Sequence, residues 1–303
     1  MVRYNSLSSF LKGRFGERVR KVMLDAGLTC PNRDGTKGYG GCIYCNWKGS
    51  GTGMARKGYS LEEQLKLEID RLKSKNCNKF IAYFQSYSNT YAPIDVLDRI
   101  YSVVLNEPSI VAMAIGTRPD CINEDVVELL KKYRNMGYYI WVELGLQSIH
   151  DETLKAINRG HTFRDFLVAY ELLKKNGFDV VVHIIFGLPG ETREMQIATV
   201  KVLSELKVDG VKFHALYILE GTKLAEMYRS SSYTPIGCEE YVDLIVSSLE
   251  ILPPTTVIHR LVSEKSGPEL IAPEWVANKR MVIGKIQREL EIRDTYQGKR
   301  YAG

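Results

Sequence analysis

Short apolar runs alternate with longer amphipathic stretches along most of this chain, and that rhythm constrains its fold more than any other feature. The segments Val19–Leu24, Lys79–Phe84, Val111–Gly116, Tyr138–Gly145, Val180–Phe186 and Gly210–Tyr217 read as strands. Between them Leu61–Lys75, Ile94–Leu105, Glu124–Met136, Phe163–Lys175 and Thr192–Lys207 read as helices. In these stretches apolar residues recur every three or four positions, as in Leu61, Leu65, Ile69 and Leu72. Gly137 and Gly177 stand where helices should stop. Strands that alternate with helices build a parallel sheet buried on both faces by its crossovers. Six such units are too few to close an eight-stranded barrel, so the pattern predicts an α/β fold, a partial (β/α)6 TIM-like barrel.

The edges break the rhythm. Residues 1–20 carry little periodic pattern and read as a short N-terminal extension to a core over 21–235. Residues 236–303 read as a helical C-terminal extension packing on the barrel. There Ile236–Leu252 predicts a helix stopped by Pro253 and Pro254, and Pro273–Ile292 an amphipathic helix with Pro273 in its first turn. The basic, aromatic end from Tyr296 to Tyr301 reads as a solvated tail. A length of 303 residues, 45% hydrophobic and 25% charged, suits one large α/β domain with appendages.

No apolar run reaches the ~20 residues that a membrane span needs, and the first ten residues lack the apolar core of a signal peptide. A soluble, cytoplasmic protein with no membrane partner is expected. Of six cysteines, three crowd into one segment while Cys77, Cys121 and Cys238 stand apart. That layout is unlike a secreted disulfide framework and reads as a metal or cluster site in a reducing compartment. The isolated thiols read as buried or incidental, with Cys121 the first to test because it follows Thr117-Arg-Pro-Asp120 near a strand end. Formal net charge is +5, yet the first sixty residues carry eleven basic side chains, Lys21 and Lys48 among them, against three acidic ones. Such a stretch is either a solvated face or an attraction for a phosphate-rich partner such as RNA.

The cysteine segment is Cys30-Pro-Asn-Arg-Asp-Gly-Thr-Lys-Gly-Tyr-Gly-Gly-Cys42-Ile-Tyr-Cys45. It follows the first strand, hence lies at the carboxyl end of the sheet, where α/β folds build their sites. Its glycines let the backbone bend around a bulky centre. Structural zinc would need a closed tetrahedral set, and the nearest histidine, His150, is distant in sequence. Inert buried thiols fit poorly in so polar a loop. An iron–sulfur cube ordinarily takes four cysteines, so three leave one iron open to a small molecule.

The three-cysteine loop with Tyr44 just before its last cysteine resembles the radical S-adenosylmethionine (SAM) signature, with a longer first gap. Its Thr-Cys-Pro-Asn-Arg-Asp-Gly-Thr spacer resembles the bacterial YhcC/YtqA-like family. That resemblance continues through Arg3-Tyr-Asn-Ser-Leu, Phe84-Gln-Ser-Tyr-Ser-Asn-Thr-Tyr91, Trp275-Val-Ala-Asn-Lys279 and Thr295-Tyr-Gln-Gly298. Thr117-Arg-Pro-Asp120, Glu143-Leu-Gly-Leu-Gln147-Ser, Asn158-Arg159-Gly-His161 and Phe186-Gly-Leu-Pro-Gly-Glu191 are similar to the Elongator catalytic subunit and oxygen-independent coproporphyrinogen dehydrogenase.

The resemblance implies a [4Fe–4S] cluster on Cys30, Cys42 and Cys45, with SAM chelating the open iron and Tyr44 against its adenine. Gln85 and Ser86 occupy the place of the glycine-rich segment that meets SAM's amino group, departing from the double glycine of many relatives. Gln147, Arg159 and His183 match polar positions near the ribose or the methionyl carboxylate, and a guanidinium suits a carboxylate. Read by itself, His183 in its apolar run is a core histidine, and its place in the barrel makes a binding role equally open. Glu143, within a strand, needs a partner that a cation or SAM could supply. Gly187-Leu-Pro-Gly190 is a turn or an adenine-side loop, and Tyr83, Phe84, Tyr87 and Tyr91 are packing or a stacking surface. The implied activity is reductive cleavage of SAM to a 5′-deoxyadenosyl radical that abstracts hydrogen from a substrate, with a tRNA nucleotide the leading guess. Flavodoxin or ferredoxin is the implied reductant. The competing class is a non-catalytic iron–sulfur or zinc protein that binds RNA or senses redox state.

Overall fold

The computed structural model describes residues 3–46, 49, 51–73 and 77–303; Lys48 and Lys75 lie outside them. The chain begins with α1 (Leu7–Phe15), β1 (Val19–Leu24), α2 (Leu61–Lys73), β2 (Lys79–Phe84), α3 (Ile94–Tyr101) and β3 (Ile110–Thr117). It continues through α4 (Glu124–Asn135), β4 (Tyr139–Gln147), α5 (Asp151–Ala156), α6 (Phe163–Lys175), β5 (Asp179–Phe186), α7 (Arg193–Glu205) and β6 (Gly210–Ala215). The remainder holds β7 (Ile218–Leu219), α8 (Lys223–Arg229), α9 (Cys238–Ile251), β8 (Val257–Arg260), β9 (Leu270–Ala272) and α10 (Lys279–Ile292). Strands β1 to β6 lie side by side in sequence order, and β8 joins β6 at the far edge. Every pairing in this sheet is parallel, and the sheet curls into a half-barrel. The predicted partial TIM-like barrel is therefore the fold.

Burial explains why these segments take their forms. Strands β2, β3, β4 and β5 are covered on both faces and are rich in Val, Ile and aromatic residues, which suit a pleated, enclosed surface. Helix α2 buries Leu65, Ile69 and Leu72 of the stripe its spacing predicts, with Gln64 beside them and Leu61 half-buried. Asn123, Thr162 and Thr192 cap α4, α6 and α7 by accepting backbone N–H bonds, and Asp165 completes a capping box with Thr162. Outside the strands, Phe166, Leu173, Val200 and Leu203 pack into one large core. Inside, Ile81, Ala112, Ala114, Trp141 and Val181 fill the lower barrel.

Several elements depart from the sequence reading, among them the short helices α5 and α8, which it did not contain. Residues 7–15, which looked aperiodic, form α1; Leu7, Phe10, Leu11 and Phe15 join the lower barrel, but basic residues and a glycine interrupt their stripe. Strand β8 has four residues, too few to display alternation, and it extends the barrel sheet. The short antiparallel pair β7–β9 was likewise unread. Pro273 precedes a short 3-10 turn over Glu274–Ala277 rather than opening the last helix, which starts after Asn278, whose side chain accepts from the Met281 N–H.

The capping box gives a direct check on how firmly α6 is seated. Thr162→Ala should cost about 1 kcal/mol, seen as a lower urea midpoint at unchanged slope. An unaltered midpoint would show that the box contributes nothing.

Candidate active site

The cysteine loop leaves the carboxyl end of β1 and folds on itself through its own backbone. Arg33 N–H donates to Cys30 O at 2.8 Å, Lys37 N–H to Pro31 O at 2.8 Å and Gly41 N–H to Asn32 O at 2.9 Å. The Arg33 guanidinium then ties down the far end, donating to Cys45 O at 2.8 Å and Asn46 O at 2.7 Å. Gly41 sits at φ +78°, and a Cβ there would meet Arg33 Nε at 2.8 Å, so only glycine suits this close approach. Asn158 clamps the loop from the following segment through Gly41 O at 2.8 Å.

This folding brings Cys30, Cys42 and Cys45 to one cavity of about 400 Å³ at the mouth of the half-barrel. Tyr44, Gln85, Glu143, Gln147, Arg159 and His183 line the same cavity. Ser86 does not. It is buried behind the wall, its Oγ has no hydrogen-bond partner among the described residues, and a Cβ on Gly51 would fall 1.8 Å from that oxygen. Gln147 reaches the cavity from a register shift at the end of β4 and holds φ +77°, a left-handed conformation that a glutamine rarely adopts. Such strain, found at a cavity wall, is what functional positions commonly carry.

Among the described residues, no three His, Cys, Asp or Glu side chains converge on a point that one metal ion could fill. Closed tetrahedral zinc requires such convergence. Three thiols from one loop line one cavity, a donor set of the type that grips an iron–sulfur cube through thiolates. The thiol of Cys45 is pushed up to about 11 by burial and by Cys42 beside it, with Arg33 opposing. It therefore keeps its proton at neutral pH until a cation displaces it.

Arg159 supplies fixed positive charge at this end. Its Nη1 donates to Cys42 Sγ at 3.5 Å, its Nη2 to Gly145 O at 2.8 Å and its Nε to His161 Nε2 at 2.9 Å. Burial alone would lower its pKa, but the sulfur of Cys42 and neighbouring groups raise it, so the guanidinium stays charged. Burial and Arg159 hold His161 down at about 3, leaving a neutral ring able to accept. Arg118 grips Asp120 with two bonds, at 2.9 and 3.0 Å, and donates to Arg159 O at 2.7 Å. Thus the Thr117-Arg-Pro-Asp120 segment braces the Arg159 backbone.

Deeper in the barrel Glu143 is surrounded. Its Oε1 accepts from Lys21 Nζ at 3.0 Å and Trp141 Nε1 at 2.9 Å. Its Oε2 accepts from Tyr83 OH at 2.7 Å, His183 Nε2 at 2.9 Å and Lys212 Nζ. Burial alone would raise the carboxyl; Lys21 and Lys212 outweigh that and hold it well below the ordinary range. Burial and Lys212 bring His183 down to about 4, so the ring is neutral and donates. The partner that Glu143 needed is therefore cationic protein. Sequence reasoning missed Lys212, His214 and Arg260 as interior groups, although alternation along Gly210–Ala215 would have put Lys212 and His214 on one face. It counted Lys21 toward a basic surface; that side chain turns inward to Glu143. Lys37 pairs with Asp120 at 3.0 Å, which removes a second charge from that surface. Cys77 and Cys121 are buried, and Cys238 is partly so.

Comparison with known proteins defines the class. The Radical SAM superfamily model matches residues 30–203, and the Radical_SAM C-terminal domain matches 208–292. The chain belongs to the radical SAM superfamily, whose enzymes use a [4Fe–4S] cluster and SAM. It is 41% identical to YtqA of Bacillus subtilis over 298 residues, covering 98% of this chain and 92% of that protein. It is 37% identical over 147 residues to a tRNA uridine(34) acetyltransferase of Methanocaldococcus jannaschii, covering 47% of this chain and 26% of that protein. The fold is similar to that of Methanocaldococcus infernus Elp3 with an N-terminal deletion. That likeness has a TM-score of 0.71 at 22% identity, over 92% of this chain and 64% of that one. Among the described residues, no helix is long and apolar enough to cross a membrane.

The saturation of Glu143 has a measurable consequence. Glu143→Gln leaves buried lysines without their counter-ion and should cost roughly 3–5 kcal/mol. A depressed carboxyl pKa contributes stability that is fully present above its ordinary value of 4.5 and lost as pH falls through the depressed value. The gap between wild type and E143Q in urea melts should therefore narrow below that pH. A constant gap would mean that the carboxylate's charge is not what matters.

Proposed function

We propose that this chain is a radical SAM enzyme that holds a [4Fe–4S] cluster on Cys30, Cys42 and Cys45 and acts on a tRNA nucleotide. One observation carries the first part: a single loop brings three thiols to one cavity, with a charged guanidinium on Cys42. When bound, the cluster supplies the electron that cleaves SAM to methionine and a 5′-deoxyadenosyl radical, which takes a hydrogen atom from the substrate.

The protein's own residues do the rest. The three thiols give up protons on binding iron, and Arg159 keeps a positive charge for the methionyl carboxylate. Tyr44 offers a ring to the adenine, and Gln85 and Gln147 offer amides to SAM's polar groups. His183, neutral and held by Glu143, presents a fixed edge to the cavity. The enclosing barrel limits access of water and oxygen. Free thiols suit a reducing compartment such as the cytoplasm, with flavodoxin or ferredoxin as electron donor. The tRNA reading is supported by the partial match to a tRNA uridine(34) acetyltransferase.

Anaerobic reconstitution should load about four irons per chain, and dithionite with SAM should yield 5′-deoxyadenosine by chromatography. Cys42→Ala should abolish both. A reconstituted, iron-loaded protein that forms no more 5′-deoxyadenosine than C42A would end this reading, as would a single zinc with no iron. For the RNA, binding of bulk tRNA should weaken steeply between about 50 and 200 mM salt. Affinity indifferent to salt, or none at low salt, would remove the tRNA assignment.

A further inference from the structure

The inner end of the cavity carries more positive charge than its carboxylate can balance. Lys21 and Lys212 both bond Glu143, and Arg260 enters the same cavity from β8. Burial pulls Lys212 well down, with Glu143 opposing. Even with Lys212 uncharged, Lys21 and Arg260 face one carboxylate. Glu143 and Glu264 are the carboxylates on the cavity wall. The first is taken up by its donors, and the second lies 3.8 Å from Lys279. Among the described residues the Arg260 guanidinium has no hydrogen-bond or ion-pair partner.

Its position follows from an irregularity in the last strand. The pairing of β6 with β8 runs Gly210 to Val257, Val211 to Ile258, then Lys212 to Arg260, so His259 is an extra residue. In a regular strand His259 and Arg260 would face opposite sides. The bulge lets both turn inward: His259 packs on the Trp141 ring at 5.6 Å, and Arg260 reaches the cavity. Beside it His214 stacks on His183 at 5.1 Å, and its buried Nε2 has no partner among the described residues. Among the described residues, the half-buried guanidinium and the ring nitrogen on the same cavity wall both lack a protein acceptor. Arg159 serves the cysteine end, while Arg260 comes from the opposite edge of the sheet to the strand that feeds the cysteine loop.

We propose that Arg260 and His214 form a subsite for an oxyanion of the substrate, a phosphate or a carboxylate. This rests on the enzymatic reading only in calling the ligand a substrate. Two N–H groups of a guanidinium match two oxygens of such a group, and a neutral imidazole can donate a third bond. The bound anion would offset the surplus positive charge.

The test is protection of Arg260 in the full chain from phenylglyoxal, a reagent for accessible guanidiniums, followed by peptide mass spectrometry. Inorganic phosphate and uridine 5′-monophosphate should slow its modification roughly tenfold or more. Uridine, lacking the anion, should leave it reactive. Protection by acetate as well would identify a carboxylate subsite; protection by the phosphates alone, a phosphate subsite. Equal modification with and without every anion, or equal protection by uridine, would overturn the assignment. Calorimetry gives a second reading: R260M should lose phosphate affinity by a similar factor and R260K should fall between, whereas wild-type affinity in both contradicts the subsite. The two readings fail separately. Protein that takes up no cluster yet is protected at Arg260 keeps the anion site and loses the proposed chemistry; a sound cluster without protection removes the subsite alone.

Discussion

Glu143 is the contact on which the barrel interior depends. Its donors come from five strands: Lys21 on β1, Tyr83 on β2, Trp141 on β4, His183 on β5 and Lys212 on β6. A half-barrel has no closing strand pair to set its curvature, so inward side chains must hold neighbouring strands in register. Desolvating these charges offsets much of their mutual attraction. What the cluster specifies is alignment, because a one-residue slip of any strand would turn its donor out of the interior. Below it the barrel is apolar and filled, with α1 reaching its lower end; above it lies the cavity.

Charge is thereby arranged along the cavity in a definite way. At the cysteine end Arg159 stays cationic beside Cys42, with its backbone braced by Arg118. At the inner end the cations gather around Glu143, and Arg260 faces open space. The inner-end histidines His183 and His214 are held neutral by burial and by those cations. An anionic group therefore finds a cationic side chain at either end of the cavity.

Much of this was legible in the sequence because the parallel strands are buried on both sides and read as continuous apolar runs. Val19–Leu24, Lys79–Phe84 and Phe163–Lys175 have the predicted bounds. The cysteine loop was legible because its spacing is local. What escaped depends on distant partners. The β8 segment is a strand only because β6 offers an edge, and α1 is ordered by the barrel floor rather than by its own amphipathicity. Lys21 looks like any surface lysine until Glu143, far along the chain, is set against it. Arg260 carries no local signal, since its inward turn arises from a bulge that a single strand's pattern does not reveal. Ser86 follows the opposite logic: it neighbours Gln85 in sequence but lies behind the wall that Gln85 lines.

Electron paramagnetic resonance of the reduced, reconstituted protein tests the central claim most directly. An iron with no protein ligand should bind SAM itself, so adding SAM should shift the g-values of the cluster signal. A spectrum identical with and without saturating SAM would mean that no metal corner is free, and the account would be wrong.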